Sequence, residues 1–144
     1  MSNWDLLQKE KEFWNGLFSN GFVKTELPNS YNSIRSDYRK SQIKIDFPLP
    51  LAKKVIELIN NSDTRLFILL KANLLLLLNR YSGENKLSLG MPIYKQEKES
   101  LINTVLPMIY QVDEDLSFKD LLKYCNDIFY QAAEFQNFNM ESLI

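Results

Sequence analysis

A length of 144 residues, 45% hydrophobic and 24% charged, accommodates one domain with a true core and leaves too little chain for two. The 17 basic side chains balance 18 acidic ones to a net charge of −1, without the cationic excess that drives binding to nucleic acid or anionic membranes. The absence of histidine excludes serine triads, Cys–His pairs and histidine bases, and with one cysteine it also excludes an ordinary structural zinc site.

The start, Met1-Ser2-Asn3-Trp4-Asp5, carries no secretory pattern, and a lone cysteine cannot form an internal disulfide, so a cytoplasmic location is expected. Trp4 to Phe18 predicts a helix with Trp4, Leu7, Trp14, Leu17 and Phe18 near one face and Lys9, Glu10 and Glu12 toward water. Asn20 to Lys40 reads as an extended crossing segment anchored by Tyr31 and Tyr38. Ile43, Ile45 and Phe47 alternate with Gln42, Lys44 and Asp46, the pattern of a half-buried strand stopped by Pro48 and Pro50.

Leu51, Val55, Leu58 and Ile59 then recur at helical spacing, with Pro50 in the first turn and Asn60-Asn61-Ser62-Asp63 as the break. Thr64 or Asp63 caps a second helix, Arg65 to Tyr81, which Gly83 closes. Its apolar run, Leu66 to Leu78, is interrupted by Lys71 and Asn73 and is too short for a bilayer, and the helix, apolar on nearly every face, is expected in the core against a sheet.

Lys86 to Tyr94 predicts a strand with Leu87, Leu89 and Met91 on one face, and Gly90 and Pro92 mark a bulge or an edge. A charged loop, Tyr94 to Ser100, leads to a strand over Val105 to Val112, where Leu106, Met108, Tyr110 and Val112 alternate and Pro107 marks an edge or the strand's first residues. Ser117 caps the last helix with Asp120 as its capping-box acid. Phe118, Leu121, Leu122, Cys125, Ile128, Phe129, Ala132 and Ala133 form the apolar stripe of that helix. The order describes an α/β layer domain over residues 1–144 without internal repeat. Three strands are few for such a layer, and the apolar end at Met140 to Ile144 suggests a surface that expects a neighbour. Low net charge also favours self-association.

Cys125 lies on the apolar stripe with no base available, which marks a buried structural thiol. Asn103 and Thr104 read as a strand-start cap or as tunnel-lining residues, and Gln136 and Asn137 as a helix-terminal cap or a binding pair. Asp113, Glu114 and Asp115 form an acidic turn, solvated in preference to cation-binding. The scattered glycines make neither a P-loop nor a dinucleotide fingerprint, and no cofactor or metal is expected.

Taken in order, six segments resemble the second half of a nonribosomal peptide synthetase condensation domain. They are Glu12-Phe13-Trp14-Asn15-Gly16-Leu17; the long helix ending Asn79-Arg80-Tyr81-Ser82-Gly83; Leu89-Gly90-Met91-Pro92; Ile102-Asn103-Thr104; Leu116-Ser117-Phe118; and Gln136-Asn137-Phe138-Asn139-Met140-Glu141. The resemblance implies part of a chloramphenicol-acetyltransferase-like sandwich, the C-terminal lobe, with helices on a small mixed sheet. It implies amide-forming acyl transfer as the family's activity, partners that carry phosphopantetheine, and a substrate tunnel at Asn103, Thr104, Gln136 and Asn137.

The departures are specific. The family's His-His-x-x-x-Asp-Gly motif has no counterpart here. Phe135 stands where a histidine is usual, Glu99 near a usual glycine, and Ile109 where an arginine is usual, with an extra residue between Thr104 and Pro107. The expectation is a truncated, non-catalytic condensation domain serving as a platform for an adenylation domain. Its rivals are the C-terminal half of a split enzyme completed by a histidine-bearing lobe, and a free-standing interaction module on the same fold. Carrier domains are further expected partners; nucleic acid and membrane are not.

Overall fold

The computed structural model describes residues 3–26, 42–93 and 103–140. In chain order its elements are α1 (Asn3–Phe18), α2 (Leu49–Ile59), α3 (Asp63–Ser82), β1 (Lys86–Pro92), β2 (Val105–Gln111) and α4 (Phe118–Glu134). Strands β1 and β2 pair antiparallel, with Leu87 opposite Tyr110 and Gly90 opposite Pro107. Leu87, Met91, Leu106, Met108, Tyr110 and Val112 are buried on one face, as the alternation predicts. Helices α3 and α4 pack together over this face, through Ile68, Ala72, Leu75, Leu121, Cys125 and Phe129.

The expected third strand does not form, and the sheet among the described residues is two-stranded and antiparallel rather than mixed. Ile43, Ile45 and Phe47 are all exposed. Alternation makes a strand only where a sheet edge is free to pair with it. The outer edge of β1 is bordered instead by residues 21–26: the Ser88 N–H donates to Thr25 Oγ1 at 2.7 Å, and the Ser88 hydroxyl donates to the Val23 carbonyl. This is the described part of the expected crossing segment; Tyr31 and Tyr38 lie outside the described residues, as do the 94–100 loop and Glu99.

The caps follow local chemistry with one change. Ser62, rather than Asp63 or Thr64, caps α3, its Oγ accepting from Arg65 N at 3.3 Å. Gly83 ends that helix at φ 73°, where its N–H reaches the Asn79 carbonyl at 2.8 Å. Ser117 Oγ accepts from Asp120 N at 3.2 Å and donates to the Asp120 carboxylate. Asn60 and Asn61 turn the chain out of α2 at φ 50° and 53°.

Helix α3 departs from the all-round burial expected of it. Leu70, Leu74, Leu77 and Tyr81 face solvent, because α4, the two-stranded sheet and a smaller contact with α2 cover only part of its circumference. In α2 only Ile59 is buried, while Leu51 and Leu58 are exposed. Helix α1 is held by its last turns: Trp14 is fully buried, whereas Trp4 and Leu7, predicted on the same face, are open to solvent. Lys9 and Glu12 are exposed as expected, but Glu10 is half-buried, and burial pushes its carboxyl up.

Two strand positions have a clear physical reason. The Val112 N–H donates to the Asn85 carbonyl at 2.7 Å, so by the antiparallel alternation the even residues of β2 bond inward and Pro107 points its missing N–H outward. Tyr110 is fully buried and its hydroxyl has no hydrogen-bond partner among the described residues. Tyr110→Phe should therefore leave stability unchanged or raise it by up to about 1 kcal/mol, read as a urea midpoint, because no bond is lost with the oxygen.

Candidate functional site

Three remote segments meet where α4 ends. The Trp14 indole N–H donates to the Phe135 carbonyl at 3.1 Å. The Asn103 side-chain amide donates to the Gln136 carbonyl at 2.9 Å and to the Phe138 carbonyl at 2.7 Å. A helix C-terminus leaves carbonyls without intrahelical donors, and these two side chains supply donors from α1 and from the approach to β2. Asn103 is thus joined to the backbone of Gln136. Asn137 is exposed. Phe135, which the resemblance sets against a usual histidine, is buried with its ring 5.4 Å from Phe13, so an apolar slot receives it. Ile109 is likewise buried, on the second face of the sheet opposite Ser88.

Asn103→Ala would leave two carbonyls short of a donor in a half-buried position. It should cost about 1–2 kcal/mol and speed hydrogen exchange in residues 135–140, while leaving the first turns of α4 protected.

A groove of about 500 Å³ opens on that second face, its lining including Phe22, Ser88, Gly90, Asn103, Thr104, Val105, Pro107 and Met140. The structure therefore brings Asn103 and Thr104 to one cavity; Gln136 and Asn137 do not line it. Gly90 helps keep it open, since a Cβ there would stand 2.8 Å from Val105 Cγ1. No described residue lining the groove is titratable. Its described lining can hold a ligand by shape and neutral hydrogen bonds.

The nucleophile candidates fare no better. Cys125 is fully buried, and burial pushes its thiol up against a smaller opposing pull from Lys71. Asp113, Glu114 and Asp115 are exposed in a turn, where Asp113 accepts from the Gln111 side chain at 2.8 Å. Among the described residues no cluster could hold a metal ion.

Sequence pattern alone did not show the role of Lys71. Its ammonium is buried, donates to the Cys125 carbonyl at 3.3 Å and lies 5.2–5.4 Å from the ring centres of Phe67, Tyr110 and Phe129. Burial lowers its pKa to about 8, an effect that nearby Cys125 partly opposes. The signal in the chain is a lone cation in an apolar helix, which reads there only as an interruption.

A profile of the condensation domain family matches residues 1–144. Bacitracin synthase 2 of Bacillus licheniformis is 23% identical over 147 residues, covering 97% of this chain and 6% of that protein. A linear gramicidin synthase of Brevibacillus parabrevis is 34% identical over 104 residues, covering 68% of this chain and 1% of that protein. Tyrocidine synthase 2 of Brevibacillus parabrevis is 21% identical over 148 residues, covering 97% of this chain and 4% of that protein. The chain thus spans a small fraction of the curated relatives it matches. No solved structure matches it.

Proposed function

We propose, on the premise that this chain belongs to the condensation domain family of nonribosomal peptide synthetases, that it is a non-catalytic lobe that serves as a platform for an adjacent adenylation domain. The observation that carries this reading is chemical. Joining a thioester to an amine needs a group that exchanges protons near neutrality beside the reacting atoms. The chain has no histidine, its groove is lined by neutral groups, Cys125 is sealed in the core and Lys71 is enclosed by three rings.

What the surface offers instead is apolar area. Ile43, Ile45, Phe47, Leu51 and Leu58 are exposed within one short stretch of chain, a pattern that supports recognition of another protein surface. On this reading the helices over β1 and β2 are part of a chloramphenicol-acetyltransferase-like sandwich, and the working location is the cytoplasm beside carrier and adenylation domains.

The test is direct. Purified chain given two carrier-bound aminoacyl groups should form no amide, and should bind a separately made adenylation domain. Ile45→Lys with Leu58→Lys should weaken that binding at least tenfold. Amide formation by the chain alone would overturn the reading.

The groove supports a second reading, the C-terminal half of a split condensation enzyme. Mixing the chain with a histidine-bearing N-terminal lobe should then restore amide formation. Gly90→Leu, which drives a side chain toward Val105 and fills the groove, should abolish it. No complex and no activity on mixing would remove this alternative.

A further inference from the structure

We infer that the open face of α3 pairs antiparallel with α3 of a second copy of this chain. Leu70, Leu74, Leu77 and Tyr81 are 51%, 43%, 51% and 61% exposed, and together they form a continuous apolar stripe along the helix. Their steps of four, three and four residues are those of a coiled-coil seam, the spacing that seats each side chain in a hole on a facing helix. A helix is therefore the kind of partner this face fits.

The identity of that helix follows from symmetry. Steps of four, three and four read the same in both directions. A two-fold axis between Leu74 and Leu77 places Leu74 opposite Leu77 of the second copy, and Leu70 opposite its Tyr81. Every member of the stripe then meets an apolar counterpart, the self-complementarity that a two-fold interface requires.

Charge points the same way. One flank of the stripe, Lys71 and Leu78, is buried against the core. The other flank is Leu66, Asn73 and Arg80, with one formal charge and the Asn73 amide donating to the Leu69 carbonyl at 2.8 Å. In the antiparallel pair the two Arg80 positions lie about 14 Å apart along the helix axis, beyond a Debye length of about 8 Å. A parallel pair would set them side by side. Antiparallel helices also oppose their dipoles favourably, and a net charge of −1 adds little repulsion between copies.

Four half-exposed large side chains contribute a few hundred Å² per copy, below the size of standard stable interfaces and in the range of weak, transient ones. The dimer is accordingly expected in the micromolar range and concentration-dependent. This inference stands apart from the platform reading, which uses residues 42–59.

Sedimentation of the full chain across the micromolar range should show a monomer–dimer equilibrium. Leu74→Glu with Leu77→Glu should remain monomeric over the same range, with an unchanged helical circular dichroism spectrum because both positions are solvent-facing. A second measurement does not depend on charged variants. Leu74→Cys mixed with Leu77→Cys should form a disulfide-linked pair faster than either variant alone, Cys125 being buried. A wild-type chain that stays monomeric, a dimer that persists in the double glutamate variant, or faster cross-linking within each single variant would each overturn the inference.

Discussion

Trp14→Ala should cost about 3–5 kcal/mol, the largest single loss expected in this chain, and lower the thermal midpoint by roughly 10 °C or more. The indole is fully buried, touches Phe13 edge-on at 4.9 Å and stacks near Phe18 at 6.4 Å. Removing it opens a cavity, frees α1 from the core and leaves the Phe135 carbonyl with only the Phe138 N–H of its two donors. Trp14→Phe separates these effects. It keeps much of the apolar contact but loses the N–H, and should cost about 1–3 kcal/mol. Trp14 and Asn103 hold neighbouring carbonyls of one backbone turn, so Trp14→Phe and Asn103→Ala should combine non-additively in urea melts. Strict additivity would mean that the two side chains do not act on a shared turn.

Lys71→Met should stabilise the fold by about 1–3 kcal/mol at neutral pH. Met fills much the same volume among Phe67, Tyr110 and Phe129 without an ammonium to desolvate. The three rings and one carbonyl favour the charged form, but its lowered pKa shows that desolvation outweighs them. Lys71→Ala should instead destabilise, since it leaves a cavity among the rings.

The pH dependence supplies an independent readout. Lys71 titrates at about 8 in the folded chain against 10.5 unfolded, so between these values the unfolded chain binds more protons and stability rises with pH. Below pH 8 both states carry the charge and the contribution is flat. The buried Cys125 thiol, raised above 9.0, works oppositely, because the folded state retains a proton that the unfolded state sheds. Tyr110 and Tyr124, raised above 10.0, do the same at higher pH. Wild-type stability should therefore rise by about 1 kcal/mol from pH 8 to 9 and then turn over. In Lys71→Met the rise should vanish and only the fall remain. Denaturant melts across this range decide it, and a flat wild-type curve would show that water reaches the ammonium.

Helix and strand positions were legible in sequence wherever a local rule governs them. Pro50 entered α2, Ser117 and Asp120 opened α4, Gly83 closed α3, and the alternation in Leu106, Met108, Tyr110 and Val112 marked the buried face of β2. Each depends on neighbours within a few residues, so the chain declares it without reference to the rest of the fold. The motif order was legible for the same reason, and it pointed to the family that matches residues 1–144.

What was not legible depends on which surfaces meet. Ile43, Ile45 and Phe47 carry a strand pattern, yet with residues 21–26 along β1 they remain unpaired and exposed. Lys71 reads as a break in an apolar run until Tyr110 and Phe129, distant in sequence, enclose it. Asn103 finds its acceptors 33 and 35 residues away. The sequence by itself determined the helices, the two paired strands, the cap of α4 and the end of α3, because composition and short-range spacing decide those. Only the tertiary structure decided which apolar faces are covered and which polar groups are matched, because burial and long-range hydrogen bonding belong to pairs of segments and not to either one alone.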